Sequence, residues 1–224
     1  MAQALVVGAS GGIGQALVAA LRARGDDVTG LSRSADGLDV TDEASISAAL
    51  APLTAPFQTV IVATGALEIR GAAPEKSLRG VEASSLAAQF ALNAIGPALV
   101  LKHALRLMPR DAPARFAVLS ARVGSIGDNR LGGWHSYRAS KAALNMILRN
   151  LAVELGRTHP QAVVAGLHPG TVDTGLSAPF QKGVRPEKLF TAEHSAERLL
   201  AVVDGLTPAD SGGVFAWDGA RIPE

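Results

Sequence analysis

The chain has 224 residues, 48% of them hydrophobic and 18% charged, with a net charge of +1 and no cysteine. This length suits one compact domain spanning 1–224, and the composition excludes a disordered chain. Near-neutral charge without a basic run argues against nucleic acid or an anionic membrane surface as partner, and the lack of cysteine excludes disulfides, zinc-thiolate sites and thiol catalysis.

The N-terminus MAQALVVGAS has no charged leader and runs straight into a glycine turn. It reads as a first strand rather than a signal peptide, and the later apolar runs are interrupted short of a membrane span, so a soluble, cytoplasmic protein is expected. Near-continuously apolar runs at 4–9, 27–32, 59–64, 115–120 and 162–168 suit strands covered on both faces, and 212–217 adds a last one. Between them lie helical patterns at 12–24, 42–50 with Thr41 as N-cap, 81–108, 135–157 and 193–204. Strand and helix alternating in this way specify a doubly wound α/β fold, a parallel sheet with helices on both faces. The stretch 169–190, rich in glycine and proline, predicts a loop with a short helix, placed to act as a lid over the carboxyl ends of the strands.

Two motifs carry chemistry. VVGASGGIG joins the first strand to the first helix, the context a phosphate-binding turn requires. Gly8 permits the tight turn, Gly12 lets the backbone approach a pyrophosphate, Gly14 lets helix and sheet pack, and the helix N-terminus offers free N–H groups to the anion. Further along, SYRASK contains Tyr137, the sole tyrosine, four residues before Lys141, one of five lysines. On a helix the two share a face, either as an ordinary surface pair or as a catalytic one.

With both motifs in place, the sequence resembles the short-chain dehydrogenases/reductases, a Rossmann-fold family with such a glycine turn and a downstream YxxxK, and the likeness covers essentially the whole chain. The resemblance implies NAD(P) bound at Gly8, Ser10, Gly12, Ile13 and Gly14. Ser32 stands where NAD-preferring members carry an acidic residue, and Arg33 follows it. A guanidinium there suits a 2′-phosphate, so NADP(H) is expected ahead of NAD(H). Asp39 and Val40 correspond to residues that meet the adenine, although Asp39 also suits a helix cap near Thr41. VATG replaces the family's NNAG and leaves Gly65 as its matching residue. Asn93 matches the catalytic asparagine that organises a relay water, and Pro169, Gly170, Thr171 and Thr174 match the segment that holds the nicotinamide. The resemblance makes Tyr137 the proton donor to a carbonyl oxygen and Lys141 both its activating cation and the ribose anchor.

The pattern departs from the family in one place. LSARVG puts Ser120 at the first serine of SSxxG and Ala121 where the catalytic serine belongs, and the loop 125–134 is longer than usual. Either Ser120 or Ser125 turns inward as a substitute, or Tyr137 works with a water. Trp134 and His135 flank the site, and Trp134 either lines a pocket or packs the loop. His103, His159 and His194 are expected at the surface, and His168 is expected to have a backbone role. The segment around Tyr137 further resembles the C-factor-like and sniffer-like carbonyl reductase branch. Two functions follow: an NADP-dependent reductase of a small-molecule carbonyl or dehydrogenase of the alcohol, or a catalytically weak nucleotide-responsive signalling protein. The family also implies a homodimer or homotetramer built through the long helices 81–108 and 135–157.

Overall fold

The computed structural model describes residues 1–54, 56–69 and 71–224. Six strands form one parallel sheet: β1 (Gln3–Val7), β2 (Asp27–Leu31), β3 (Thr59–Val62), β4 (Ala114–Leu119), β5 (Ala162–His168) and β6 (Val214–Ala216), in the order β2-β1-β3-β4-β5-β6. Every pairing is parallel. The reversal of strand order between β1 and β3 opens a crevice at their carboxyl ends, the place where such sheets take ligands.

The apolar runs become strands because both faces of the sheet are covered, so no polar residue is needed on either side. One face carries α1 (Gly12–Ala23) and α5 (Ala192–Gly205); with Val6, Ile61, Ala117 and Leu167 they enclose one core. The other face carries α2 (Glu43–Leu50), α3 (Ala83–Leu107) and α4 (His135–Thr158) over Leu5, Val62, Phe116 and Val164. Along α4 the buried stripe runs Ser136, Ser140, Lys141, Leu144, Leu148, Ala152 and Leu155. The spacing is that of an inward helix face, and Lys141 occupies a core position in it.

Several expectations change. The cap of α2 is Asp42, whose side chain accepts from Ala44 N at 3.0 Å, rather than Thr41. Instead, Thr41 bonds Asp39, with N–H and hydroxyl donating to Oδ1 at 2.9 and 2.7 Å. A single-turn helix, Arg33–Asp36, follows β2 and is capped by Ser32. His159 is not at the surface: at the end of α4 it is 3% exposed, and its Nδ1 lies 2.9 Å from Thr158 Oγ1.

By length and composition α3 is long and apolar enough to cross a membrane, more than its interrupted runs suggest. Here Asn93, Ala94, Val100, Leu101 and Ala104 are buried in the fold. It is also not one uniform helix, because Ala91–Ile95 is π-helical between two α-helical parts. The stretch 169–190 contributes two 3-10 turns and a small parallel pair, Thr171–Val172 with Leu189–Phe190.

Candidate active site

The sequence between β1 and α1 forms the turn its glycines allow. Gly8 has φ +92°, and a Cβ on Gly14 would lie 2.1 Å from Gly8 O, so helix and strand approach more closely than any side chain permits. Gly11, the N-cap of α1, has no side chain to offer, so the N–H groups of the first turn are left for an anion. The turn opens onto a cavity of about 570 Å³. Its walls bring together Gly12, Ile13, Gly65, Ser120, Tyr137, Lys141, Pro169, Gly170, Thr171 and Thr174 from separate elements. Ser32, Arg33, Asp39 and Val40 lie outside these walls, in the segment that follows β2, and Arg33 is exposed.

Tyr137 sits in the first turn of α4 with Lys141 one turn on, its Nζ 5.9 Å from the phenol ring centroid. The amine is 3% exposed and donates to Leu119 O at 2.7 Å, at the end of β4. Burial pushes the Lys141 pKa down to about 7 and the Tyr137 pKa up to about 12. The phenol is therefore protonated at neutral pH, while the amine is close to half charged.

Asn93 is fully buried in the π-helical segment. Its Oδ1 accepts from Ala66 N at 3.1 Å, and its Nδ2 donates to Ala66 O at 3.0 Å, Gln89 Oε1 at 2.5 Å and Ser140 Oγ at 3.4 Å. In this way Asn93 fastens the loop after β3 to α3 and α4. Gly65 lies in that loop, where a Cβ would come within 3.1 Å of Asn93 Oδ1 and 3.5 Å of Lys141 Nζ.

The segment after β5 is held from outside. Ser195 Oγ, buried at the start of α5, donates to Pro169 O at 3.0 Å, and Gly170, at φ +80°, leaves no room for a Cβ beside the Phe190 ring. Thr174 Cγ2 stands where a Cβ on Gly12 would be, 2.7 Å away, so the glycine turn and this segment meet directly.

The two serines near Ala121 are both engaged. Ser120 Oγ donates to Asn145 Oδ1 at 2.7 Å, on α4, and Ser125 Oγ accepts from Asp128 N at 3.0 Å. Trp134 both lines the cavity and packs: it adopts a left-handed conformation, φ 49°, with its indole edge-on to Tyr137 and to Phe180 of the 169–190 segment.

Sequence reasoning missed Thr64 in the wall and gave His168, also in the wall, only a backbone role. Thr64 Oγ1 and His168 Nδ1 are buried without a hydrogen-bond partner among the described residues. Burial, with Arg122 nearby, pushes His168 down to about 4, so it is neutral at physiological pH. Orphaned polar atoms in a cavity that ends at a free helix N-terminus fit a polar, anionic ligand such as a dinucleotide. The only signal for Thr64 in the sequence is its place beside Gly65.

The model of the family described as enoyl-(acyl carrier protein) reductase matches residues 8–204. The chain belongs to the short-chain dehydrogenase/reductase family of oxidoreductases. It is 31% identical over 234 residues to the 1-hydroxy-2-glutathionyl-2-methyl-3-butene dehydrogenase of Rhodococcus sp. (strain AD45), covering 99% of both proteins. It is also 35% identical over 148 residues to the C-signal of Myxococcus xanthus, covering 66% of this chain and 83% of that protein. The crystal structure of NADPH-bound carbonyl reductase from chicken fatty liver superposes with a TM-score of 0.83 at 25% identity, covering 99% of this chain and 98% of that one. The expected doubly wound Rossmann fold and the family resemblance are both borne out.

Proposed function

We propose that this protein is an NADP-dependent oxidoreductase that interconverts a small-molecule carbonyl and its alcohol, with Tyr137 as acid/base. The observation that carries this reading is the placement of Tyr137 and Lys141 on the wall of the same cavity that ends at the free N-terminus of α1. The dinucleotide, when bound, supplies or accepts the hydride. The chain's own residues do the rest. The N–H groups of Gly12, Ile13 and Gly14 hold the pyrophosphate, with Ser10 beside them in the turn. Arg33, exposed at the end of β2, pairs with the 2′-phosphate. Asp39 and Val40 border the adenine, and Pro169, Gly170, Thr171 and Thr174 hold the nicotinamide side.

In the reducing direction the Tyr137 hydroxyl gives its proton to the carbonyl oxygen. The phenol carries that proton at neutral pH, and because burial raises its pKa to about 12 the transfer depends on a cation beside it. Lys141 holds the ribose hydroxyls, and its charged form favours the phenolate left behind. Asn93 keeps Gly65 and Ala66 against the lysine. Leu67, Val123, Trp134, Leu176, Phe180 and Val184 give the cavity an apolar stretch of wall, which suits a substrate with a hydrophobic body. The Rhodococcus relative is named as a dehydrogenase and the chicken structure as a carbonyl reductase, which supports either direction. The nucleotide-responsive signalling reading draws on Ala121 and on the likeness to the C-signal; the intact Tyr137–Lys141 pair on the cavity wall favours the enzyme.

A homo-oligomer is part of the proposal: Ile95 on α3 and Met146 and Val153 on α4 expose apolar side chains on the helices through which the family assembles. The deciding experiment is NADPH consumption against a panel of aldehydes, ketones and quinones, with Tyr137→Phe beside the wild type. Turnover that needs the tyrosine supports the proposal. Equal turnover by both proteins, or none by wild type with NADPH bound, overturns it.

A further inference from the structure

The N-terminus of α4 carries the candidate catalytic tyrosine, yet its own sequence supplies no cap. The N-cap residue is Trp134, in a left-handed conformation and without a side-chain acceptor, and the first turn contains no acidic residue. The N–H groups at such an end need partners from elsewhere. They come from Glu75, 61 residues upstream in the segment between β3 and α3. Its carboxylate accepts from Ser136 N at 3.1 Å and from Ser136 Oγ, and its main-chain oxygen accepts from Trp134 N at 2.5 Å. Glu75 is 8% exposed. Burial alone pushes its carboxyl up, but the bonds from Ser136 outweigh that and hold it below the ordinary range, so it stays ionised at the positive end of the helix.

The bonds fix two things at once. Ser136 immediately precedes Tyr137, so clamping its N–H and hydroxyl sets where the first turn of α4 starts and where the phenol leaves it. Trp134, held through its own N–H, presents its indole to the Tyr137 ring at a centroid distance of 6.3 Å and to Phe180 at 5.7 Å. The same segment therefore places the phenol and the aromatic wall beside it.

We propose that Glu75 is a positioning residue: a buried carboxylate that caps α4 from a distance and sets the joint placement of Tyr137 and Trp134. The inference rests on the reductase reading for its kinetic consequence, but not for its structural one. Glu75→Gln keeps the size and one acceptor, Glu75→Ala removes both, and Ser136→Ala removes a single donor should Glu75→Ala fail to fold.

The expected result is a split. NADPH affinity changes little, because the phosphate-holding turn lies elsewhere, while kcat falls about 10–100-fold, the scale of a small misplacement of a reacting group. The loss is greatest for Glu75→Ala, intermediate for Glu75→Gln and least for Ser136→Ala. A second readout needs no turnover. In a Trp217→Phe background Trp134 is the only tryptophan, and its emission shifts to the red when Glu75 is replaced. Unchanged kcat with unchanged Trp134 emission overturns the proposal, as does a parallel fall of NADPH affinity, kcat and thermal stability. If the wild type reduces nothing on the panel, the reductase reading fails by itself, and the Trp134 emission alone decides this one: a shift supports it and constancy overturns it.

Discussion

Ser120 gives its hydroxyl proton to Asn145 Oδ1 at 2.7 Å, which ties the end of β4 to α4 and leaves the hydroxyl with nothing to donate into the cavity. Ser120→Ala is therefore expected to act on stability. Leaving the partly buried Asn145 acceptor unpaired costs about 1 kcal/mol, read as a lower Tm, with kcat changed by less than about threefold. A large loss of kcat at unchanged Tm would make Ser120 the substitute donor instead.

Ala121→Ser puts a hydroxyl at the position where the sequence resemblance implies a catalytic serine. Donors of this kind are worth about 2.7–4 kcal/mol in other enzymes, so kcat/KM should rise by at least tenfold. An unchanged rate on the best panel substrate would mean that the site already has its second donor.

Arg33→Ala tests the cofactor preference. Loss of a charge-assisted bond to the 2′-phosphate, about 1.5–3 kcal/mol, should weaken NADPH by tenfold or more and leave NADH almost unaffected. Equal losses for both, measured by titration of cofactor fluorescence, would remove the phosphate from Arg33.

Lys141 makes stability depend on pH. Its pKa is about 7 in the folded chain and 10.5 when unfolded, so the unfolded state binds more protons across that window. Stability should rise as pH increases from about 7 towards 10. Above pH 10 Tyr137 works in the opposite sense, since its folded pKa of about 12 lies above its unfolded value. Lys141→Met should flatten the rise below pH 10; a Tm profile of unchanged slope would show that the amine is not desolvated in the apo protein.

Gly14→Ala asks whether the glycine turn tolerates any side chain. A Cβ 2.1 Å from Gly8 O cannot be accommodated without moving α1 away from the sheet. The expected outcome is a marked fall in Tm together with loss of cofactor binding, whereas a wild-type Tm would show that the turn yields.

The fold was legible in the sequence because strands buried on both faces leave continuous apolar runs, and helices on the same sheet leave a 3.6-residue stripe. The glycine turn and the Tyr137–Lys141 spacing were legible for the same reason: their partners are local. Local bonding also misled, since Thr41, Asp39 and Asp42 all suit a helix start and only geometry separates them. What was not legible depends on distant residues. Nothing in PEKSL tells that Glu75 reaches Ser136, nothing in LSAR tells that Ser120 turns to Asn145, and His159 gives no sign that it is buried.

The π-helical stretch Ala91–Ile95 works as a change of phase in a screw. A helix turns roughly 100° per residue, so one residue more than the regular winding accommodates rotates everything beyond it by about that angle. The face that α3 shows to α4 past Ile95 is thus not the continuation of the face before Phe90. Asn93, at the point of the shift, can reach back to Ala66 and across to Ser140 at once. Deleting a single residue there would restore a smooth thread and bring the two halves of the helix back into step, at the expense of the asparagine's simultaneous grip on both.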